Sequence, residues 1–378
     1  METERIKIFV DAHVFDKEFQ GAQTFLRELY TQLMARHPEL DIYFGARNTD
    51  NIKAIFPSLA VSNILRYSKR SSGIFRYLFD IPALIRKHKF QFAHFQYIVP
   101  RAISGCRYIV TLHDVLFNDF REDFGFIFRI SRNYLFGRSL RQADIKTTVS
   151  AYSKQQICWH YGVPPAEVHV IHNGAMDVSS GLENTKNDAK EFVRRKFGFS
   201  DFILCISRLE PRKNHALLLS KYLELDLDKR NISLVFVGKE SAHVPALDKL
   251  IRRLDDNQRK HFHWLPQASQ SDLKALYQAC RLFVYPSKAE GFGIPPLEAA
   301  TCYAPVLCSS ATAMRDFSFF APYTFDPSNE TEFEQKLSQM LDTPPSDQFT
   351  GEVAKYVYKY YNWQNSSDLF YDLLQANN

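Results

Sequence analysis

Residues 284 to 300 decide the fold, and they read Val284-Tyr-Pro-Ser-Lys-Ala-Glu-Gly-Phe-Gly-Ile-Pro-Pro-Leu-Glu-Ala-Ala300. The stretch continues an apolar run, Leu282 to Tyr285, that predicts a buried strand, and it ends in residues 297–300, which favour a helix. Its prolines and glycines therefore fall where a strand passes into a helix. Such a junction leaves backbone N–H groups unpaired, and a phosphate is a natural ligand for them.

Two glutamates in this stretch complicate a simple phosphate site. Glu290 precedes the glycines, and Glu298 follows eight residues later, inside the predicted helix. Carboxylates repel phosphate, but they accept hydrogen bonds from hydroxyl groups. The spacing indicates a nucleotide-sugar site, in which the two acids hold hydroxyls on either side of a diphosphate. A proline-rich turn with two surface glutamates is the alternative.

Length and composition describe a globular protein of two domains. The chain has 378 residues, of which 45% are apolar, with 14 glycines and 17 prolines. Its six cysteines show no Cys-x-x-Cys pair, so we expect free buried thiols in a reducing compartment. The charged N-terminus is unlike a signal peptide, and no window has the apolar length of a spanning helix. We expect a cytoplasmic protein, soluble or peripheral to a membrane.

Strand-like and helix-like patterns alternate along both halves of the chain. The alternation predicts parallel sheets covered by helices on both faces, which is an α/β fold. We place the domain boundary in the polar stretch 176–190. The predicted strands are Ile6–Val10, 41–44, 92–95, 108–112 and 168–171 in the first half, and 202–206, 231–237, 262–265, 282–285 and 305–308 in the second.

Two of these strands end in polar residues that suit a ligand crevice. His113-Asp114 follows strand 108–112, and the carboxyl ends of parallel strands line such crevices. A histidine satisfied by a backbone partner is the alternative. Arg208, Arg212 and Lys213 follow strand 202–206 and suit a diphosphate, with Arg208 as a bidentate donor and Lys213 as a point charge. A solvated basic turn is the alternative there.

Residues 51–110 carry ten lysines and arginines but only one acidic residue, with aromatic residues between them. This surface could hold acidic phospholipid, nucleic acid or a phosphorylated acceptor, or it could be solvated surface. Nucleic acid is the least favoured partner, because no recognition motif accompanies the charge.

In their order along the chain, these motifs resemble the retaining glycosyltransferases of the GT-B fold, specifically family four, the group 1 glycosyltransferases. The segment Glu290 to Glu298 matches the family's Glu-x7-Glu signature. The resemblance spans almost the whole chain and rests on Gly21, Thr111–Asp114, Val170–Gly174, Ser207-Arg208 with Pro211–Asn214, Phe236–Gly238, Leu276-Tyr277 with Ala279, and Glu290–Glu298.

The resemblance implies a fold of two Rossmann-like, doubly wound domains facing across a cleft. Residues 1–178 would form the acceptor-binding domain, completed by C-terminal helices from about 356 to 378. Residues 179–355 would bind the nucleotide sugar.

The resemblance also implies a role for each matching residue. Glu298 would hold the ribose hydroxyls and Glu290 the donor sugar, while His113 would reach the sugar from the other domain. Arg208 and Lys213 would neutralise the diphosphate without a metal or another cofactor. The catalytic set would be Glu290, His113, Arg208 and Lys213, and the nucleotide-sugar set Gly21, Arg208, Lys213, Glu290, Gly291, Phe292, Gly293, Ile294 and Glu298.

The chain departs from the family pattern at several positions. Gly21 stands alone in the predicted first loop, where relatives carry more glycine. Tyr303 takes a helix-end position often left to glycine, and Asp316 replaces a usual glutamate. The Asp226-Leu227-Asp228 sequence would suggest a manganese site in a different glycosyltransferase fold. Here it lies away from any predicted strand's carboxyl end, and we predict a surface turn.

The expected function is transfer of a hexose, with retention of configuration, from a nucleoside-diphosphate sugar to a saccharide. GDP-mannose is the first donor, with UDP-hexoses and UDP-N-acetylhexosamines close behind. The acceptor would be linked to a polyprenyl lipid, in assembly of bacterial O-antigen or capsule. The basic segment 66–89 would rest on the anionic inner face of the cell membrane. The alternatives are a non-catalytic sugar-nucleotide-binding protein and a basic protein that binds membrane or nucleic acid.

Overall fold

The computed structural model describes residues 5–16, 21–68, 73–175 and 186–378. It divides into two compact units. The first runs to Asn173 and also contains Trp363–Asn378, and the second is Gly174–Asn362. The boundary expected at 178/179 falls in 176–185, outside the described residues.

A parallel sheet forms the centre of the first unit. Its strands are β1 (Ile6–Asp11), β2 (Leu40–Ala46), β3 (Ile64–Arg66), β4 (Phe92–Gln96), β5 (Arg107–Thr111), β6 (Ile145–Thr148) and β7 (Val168–Val170). Among the described residues these seven strands lie in the order β3-β2-β1-β4-β5-β6-β7. The order reverses between β1 and β4, as in a doubly wound sheet. The predicted strands of the first half are confirmed.

Helices cover this sheet. They are α1 (Gly21–Arg36), α2 (Thr49–Ile55), α3 (Gly73–Phe75), α4 (Ile81–His88), α5 (Phe126–Gln142), α6 (Ala151–Tyr161) and α15 (Trp363–Ala376), with a π-helix at Arg76–Asp80. The expectation that Gly21 lies in a loop was wrong, because α1 already begins there. Ala22 packs in the core one residue later, so the apolar stripe of Phe25 and Leu29 extends to the start of the helix.

The second unit repeats the same design. Its strands are β8 (Phe202–Ile206), β9 (Ser233–Val237), β10 (Phe262–Leu265), β11 (Leu282–Tyr285), β12 (Val306–Ser309) and β13 (Thr324–Phe325). Within the described part, these six parallel strands lie in the order β10-β9-β8-β11-β12-β13. This is the strand order of a Rossmann fold, and it places the topological switch point between β8 and β11.

The helices of the second unit flank this sheet. They are α7 (Lys186–Phe197), α8 (His215–Glu224), α9 (Pro245–Arg252), α10 (Asp256–His261), α11 (Gln270–Ala279), α12 (Ile294–Thr301), α13 (Glu330–Asp342) and α14 (Asp347–Tyr360). The predicted α/β fold with two Rossmann-like domains is confirmed.

The crossing back to the first unit lies later than the expected residue 356. Helix α14 stays with the second unit, and only α15 joins the first. The Tyr358 hydroxyl donates to the carbonyl of Thr301 at the end of α12, 2.9 Å away. The ring of Tyr356 packs on Phe319 of the same unit, with centroids 4.7 Å apart. Aromatic contacts therefore hold this helix in place.

The Asp226-Leu227-Asp228 turn is not wholly at the surface. It follows α8 and precedes the amino end of β9, away from the carboxyl ends of the strands. Asp226 is exposed, but Asp228 is buried and accepts a hydrogen bond from Asn257 Nδ2 at 2.6 Å. The expected surface turn is thus corrected for Asp228, whose carboxylate ties this turn to α10.

The described residues contain no helix with the length and apolarity needed to cross a membrane. The six cysteines are free, and all but Cys158 are buried. Burial raises the pKa of the Cys205 and Cys280 thiols to about 12, so these sulfur atoms stay protonated and unreactive at neutral pH.

Candidate active site

The switch point of the second sheet brings a basic turn and the glycine loop together. The turn Pro211–Lys213 follows β8, and the loop 286–293 follows the adjacent strand β11. At their meeting point Lys213 Nζ lies 2.5 Å from Glu290 Oε1, and Arg212 Nη1 lies 3.3 Å from Glu290 Oε2. One buried carboxylate thus holds two cations where an open α/β sheet binds its ligands.

Hydrogen bonds to backbone carbonyl groups hold the turn against the loop. The N–H of Lys288 donates to the carbonyl of Arg212 at 2.7 Å, and the Ser287 hydroxyl donates to the same carbonyl at 3.2 Å. The Arg212 guanidinium donates to the carbonyl of Ala289 at 2.8 Å. Asn214 closes the turn in the left-handed conformation, with φ 60°, and so starts α8 directly after Lys213. The two cations are therefore held on rigid backbone.

Two further residues position Glu290. The buried Tyr285 hydroxyl donates to Glu290 Oε1 at 2.6 Å, and the N–H of Glu290 donates to Thr312 Oγ1 at 2.9 Å. The Tyr285 ring centroid lies 5.8 Å from Lys213 Nζ. Arg212 was predicted as one of three cations that suit a diphosphate, whereas sequence reasoning missed Tyr285 and Thr312 as members of the site. Tyr285 carried one signal, because a tyrosine at the end of a buried strand needs a partner for its hydroxyl.

These contacts determine the charge of Glu290. Burial alone raises its pKa, but the charges of Lys213 and Arg212, with hydrogen bonds from Lys213 and Tyr285, lower the pKa to about 2. Burial lowers the pKa of Lys213, and Glu290 opposes that shift. Glu290 is therefore a carboxylate at neutral pH that accepts hydrogen bonds and has no proton to give.

Arg208 lies apart from this buried pair. Its side chain is 47% exposed, and its Nη2 lies 3.2 Å from Glu210 Oε1. Glu210 also contacts Arg212 Nε at 2.9 Å. Opposite charges thus alternate along the site in the order Arg208, Glu210, Arg212, Glu290, Lys213. Of the residues predicted to hold the diphosphate, Lys213 is engaged by Glu290 and Arg208 by Glu210.

Glu298 lies on the second turn of α12, half-buried. Its Oε2 accepts a hydrogen bond from the Tyr277 hydroxyl at 2.9 Å. Burial and the charge of Glu298 raise the pKa of Tyr277, which keeps that hydroxyl a donor. Tyr277 therefore orients the carboxylate, and the predicted contact of Glu298 with ribose hydroxyls stays a prediction.

The residues of the predicted phosphate loop have different roles: some cap the helix or pack in the core, and others could offer only backbone groups to a ligand. Gly293 caps α12 with φ 102°, a conformation that suits glycine. Phe292 is buried, with its ring 5.6 Å from that of Phe317, so only its backbone could face a ligand. Gly291 and Ile294 are half-buried beside it. The two prolines that follow at 295 and 296 offer no N–H to a phosphate.

Another glycine closes the neighbouring edge of the site. Gly238 follows β9 with φ 144°, and a Cβ there would overlap the carbonyl oxygen of Ser207, which follows β8. The Ser207 N–H donates to the carbonyl of Val237 at 3.0 Å. The two strand ends can approach this closely only because residue 238 has no side chain.

Comparison with known families matches each unit separately. The model of "Glycosyl transferases group 1" matches residues 187–357, and that of "Glycosyltransferase Family 4" matches residues 19–175. The chain belongs to the group 1 glycosyltransferases. The predicted family resemblance is thereby confirmed.

Curated relatives and a solved structure agree with this assignment. The O-antigen chain mannosyltransferase B of Escherichia coli is 27% identical over 60% of this chain and 59% of its own length. The O-antigen chain mannosyltransferase RfbU of Salmonella typhimurium is 24% identical over 65% of each. The chain thus spans less than two thirds of the length of either relative. Sucrose-phosphate synthase from Thermosynechococcus elongatus shares the fold, with a TM-score of 0.74 and 16% identity over 99% of this chain and 100% of its own.

In the first unit of this group 1 glycosyltransferase, His113 follows β5 and is buried. Its Nε2 lies 2.6 Å from Gln96 Oε1, and its ring packs edge-on against Phe25, with centroids 5.1 Å apart. Burial lowers the pKa of His113 to about 4, so the ring is neutral at pH 7. A neutral ring that donates from Nε2 keeps Nδ1 as an acceptor. Its expected reach toward the donor sugar stays a prediction, as does a ligand role for Gly21.

Proposed function

We propose that this protein is a retaining glycosyltransferase that moves a hexose from a nucleoside-diphosphate sugar to a saccharide acceptor. The observation that carries the proposal is the pairing of Glu290 with Lys213 and Arg212 at the switch point of the second sheet. Cations that can bind a diphosphate there lie beside a carboxylate that can bind sugar hydroxyls.

In the proposed reaction, the bond between the sugar's anomeric carbon and the diphosphate oxygen breaks, and a bond to the acceptor oxygen forms on the same face. The acceptor proton passes to the departing diphosphate. As that group gains negative charge, Lys213, Arg212 and Arg208 stabilise it more strongly than they stabilise the bound donor. Because the pKa of Glu290 is about 2, its part is to accept hydroxyl hydrogen bonds from the sugar and not to donate a proton.

GDP-mannose is the donor that we propose first, because two relatives are named O-antigen chain mannosyltransferases. UDP-hexoses and UDP-N-acetylhexosamines come next. We propose a polyprenyl-linked saccharide as acceptor, in O-antigen or capsule assembly at the cytoplasmic face of the cell membrane. Metal independence belongs to the same proposal, since cationic side chains would neutralise the diphosphate; undiminished transfer in EDTA would support it, and abolished transfer would contradict it.

A thermal-shift panel of GDP, UDP and ADP tests donor binding. A nucleotide at a hundred times its dissociation constant should stabilise the protein by about 2.7 kcal/mol. Lys213→Ala should remove most of that shift. Lys221→Ala is the matched control, because Lys221 on α8 is as enclosed as Lys213 but pairs with Glu224 and Glu334. Stabilisation by none of the nucleotides would refute the proposal.

Incubation with GDP-mannose and a saccharide acceptor tests the chemistry. NMR of the product should show the anomeric configuration of the donor, and an inverted product would refute retention. A protein that binds nucleotide but transfers no sugar from any of the donors would instead be a non-catalytic sugar-nucleotide-binding protein.

A further inference from the structure

Two groups of large apolar side chains on the first unit face solvent. Ile74, Leu78 and Phe79, on α3 and the π-helix after it, are 73%, 60% and 56% exposed. Phe126 and Ile127, in the first turn of α5, are 69% and 83% exposed. Ile130 and Tyr134 continue the same exposed face of that helix. Contiguous exposure of this kind marks an interaction site in a folded protein.

An ion pair holds the first group in place. Arg76 turns inward from the π-helix, and its Nε lies 3.5 Å from Oδ2 of the fully buried Asp11 at the end of β1. The Tyr67 hydroxyl donates to Asp11 Oδ1 at 2.8 Å. Arg76 therefore faces the protein while its apolar neighbours Leu78 and Phe79 face outward, which is the reverse of an ordinary surface helix.

Both groups lie at the carboxyl edge of the first sheet. Residues 73–80 follow the carboxyl end of β3, and α5 begins after the carboxyl end of β5 and runs back toward the start of β6. Burial raises the pKa of Tyr77 in the π-helix, and Arg132 of α5 is close enough to oppose that shift. We name the exposed side chains of the two groups the apolar rim: Ile74, Leu78, Phe79, Phe126, Ile127 and Ile130.

The charges along α5 are positive. Helix α5 contains four arginines and no acidic residue, although Glu122 and Asp123 precede it. Residues 121–142 together carry five arginines against those two acids. Arg141 is exposed, and Arg129, Arg132 and Arg138 are half-buried. A helix that combines exposed apolar side chains with arginines is typical of proteins that lie on an anionic bilayer.

The basic segment 66–89 is a weaker candidate for this contact. Arg76 is committed to Asp11, and Lys69 and Arg70 lie outside the described residues. Arg66 ends β3 at the carboxyl edge, but the cluster of Arg86, Lys87 and Lys89 lies at the C-terminal end of α4, which leads to the amino edge of the sheet at β4. These charges do not form one surface with the rim.

We propose that the first unit docks on an anionic phospholipid bilayer through the apolar rim, with Arg129 and Arg132 of α5 near the lipid phosphates. The inference deepens the proposed function, since a polyprenyl-linked acceptor would lie in the same bilayer. It is nevertheless separable from that function, because the donor residues lie in the other unit.

Vesicle co-sedimentation tests the proposal. The wild-type protein should sediment with vesicles of phosphatidylcholine and phosphatidylglycerol in equal parts, and less with phosphatidylcholine alone or at high salt. The double variant Phe126→Ser/Ile127→Ser should bind at least about tenfold more weakly, because two exposed apolar side chains no longer insert. Arg129→Gln/Arg132→Gln should lose the preference for the anionic vesicles.

Val61→Ser is the matched control. Val61 is as exposed as Ile74, but it precedes β3 and so lies at the amino edge of the sheet. The control should bind vesicles like the wild type, and every variant should keep the GDP-induced thermal shift. If GDP does not raise the melting temperature of the wild type, the proposed function is contradicted, but the docking proposal is unaffected.

Three results would overturn the docking proposal. One is a wild-type protein that does not sediment with the mixed vesicles. Another is equal binding by the wild type and the Phe126→Ser/Ile127→Ser variant. The third is a dimer in sedimentation velocity that this variant dissociates, which would make a second copy of the chain the partner of the rim.

Discussion

Replacing Glu290 by glutamine should destabilise the second unit and at the same time strengthen its binding of GDP. The substitution keeps the size of the side chain but removes the charge that holds Lys213 and Arg212. The two cations would then lie in a buried site without their anion. Breaking one side of a buried ion pair in this way leaves an uncompensated charge, which is costly.

The size of the effect follows from the pKa of Glu290. The pKa falls from an ordinary value of 4.5 to about 2, and each pKa unit is worth about 1.4 kcal/mol. The ionised Glu290 therefore adds about 3 kcal/mol to the free energy of unfolding. Because the folded pKa is the lower one, this stabilisation is complete above pH 4.5 and is lost as the pH falls toward 2. In a unit of this size, about 3 kcal/mol corresponds to roughly 6–12 °C in melting temperature.

Differential scanning fluorimetry at neutral pH measures this change, with GDP titrated in a second series. GDP should bind the variant more tightly, because Lys213 no longer has Glu290 as a competing partner. The control is Glu191→Gln, which removes a carboxylate that pairs with Arg194 and Arg195 at the surface and should leave the melting temperature nearly unchanged. A Glu290→Gln variant that melts like the wild type would refute this account of the ion pair, as would weaker GDP binding.

Three other variants and a change of pH give further expectations. Arg208→Ala should weaken GDP binding but leave the free protein's melting temperature unchanged, because Arg208 is half-exposed. Gly238→Ala should lower the free energy of unfolding by more than about 2 kcal/mol in urea titrations, since its Cβ has no room, whereas Gly351→Ala on α14 meets no atom and should stabilise by up to about 1 kcal/mol. Burial lowers the pKa of His94 to about 3 and of His113 to about 4. Between pH 6.5 and pH 5 only the unfolded chain then protonates these two histidines. Urea titrations should therefore show that each histidine lowers the free energy of unfolding by about 2 kcal/mol as the pH falls through this range.

The sheets could be predicted from the sequence because buried parallel strands are short apolar runs with polar ends. Phe202–Ile206, Phe262–Leu265 and Leu282–Tyr285 begin and end in the structure where the pattern placed them. Spacing along the chain also indicated that Arg208 and Lys213 follow a strand end. The position of a strand depends on residues that are adjacent in the sequence, so the sequence pattern predicts it directly.

The partners of the site residues could not be predicted in the same way. Lys213 and Glu290 are 77 positions apart, and the contact depends on the adjacency of β8 and β11. A pattern gives the type of residue at each position, but it does not show that Glu210 pairs with both Arg208 and Arg212. The exposed face of α5 was missed for a related reason, since apolar residues at helical spacing look alike whether or not anything covers them.

In the proposed function, the alternating charges would let one site bind a donor and still release its product. Lys213 and Glu290 satisfy each other when no ligand is bound. A diphosphate that draws Lys213 away leaves the Glu290 carboxylate, which stays charged at neutral pH, in need of other donors. Hydroxyls of an attached sugar can supply them, whereas a nucleoside diphosphate without its sugar cannot. In the proposed reaction both halves of the site would then hold the donor, and after transfer the re-formed Lys213–Glu290 pair would favour departure of the nucleotide.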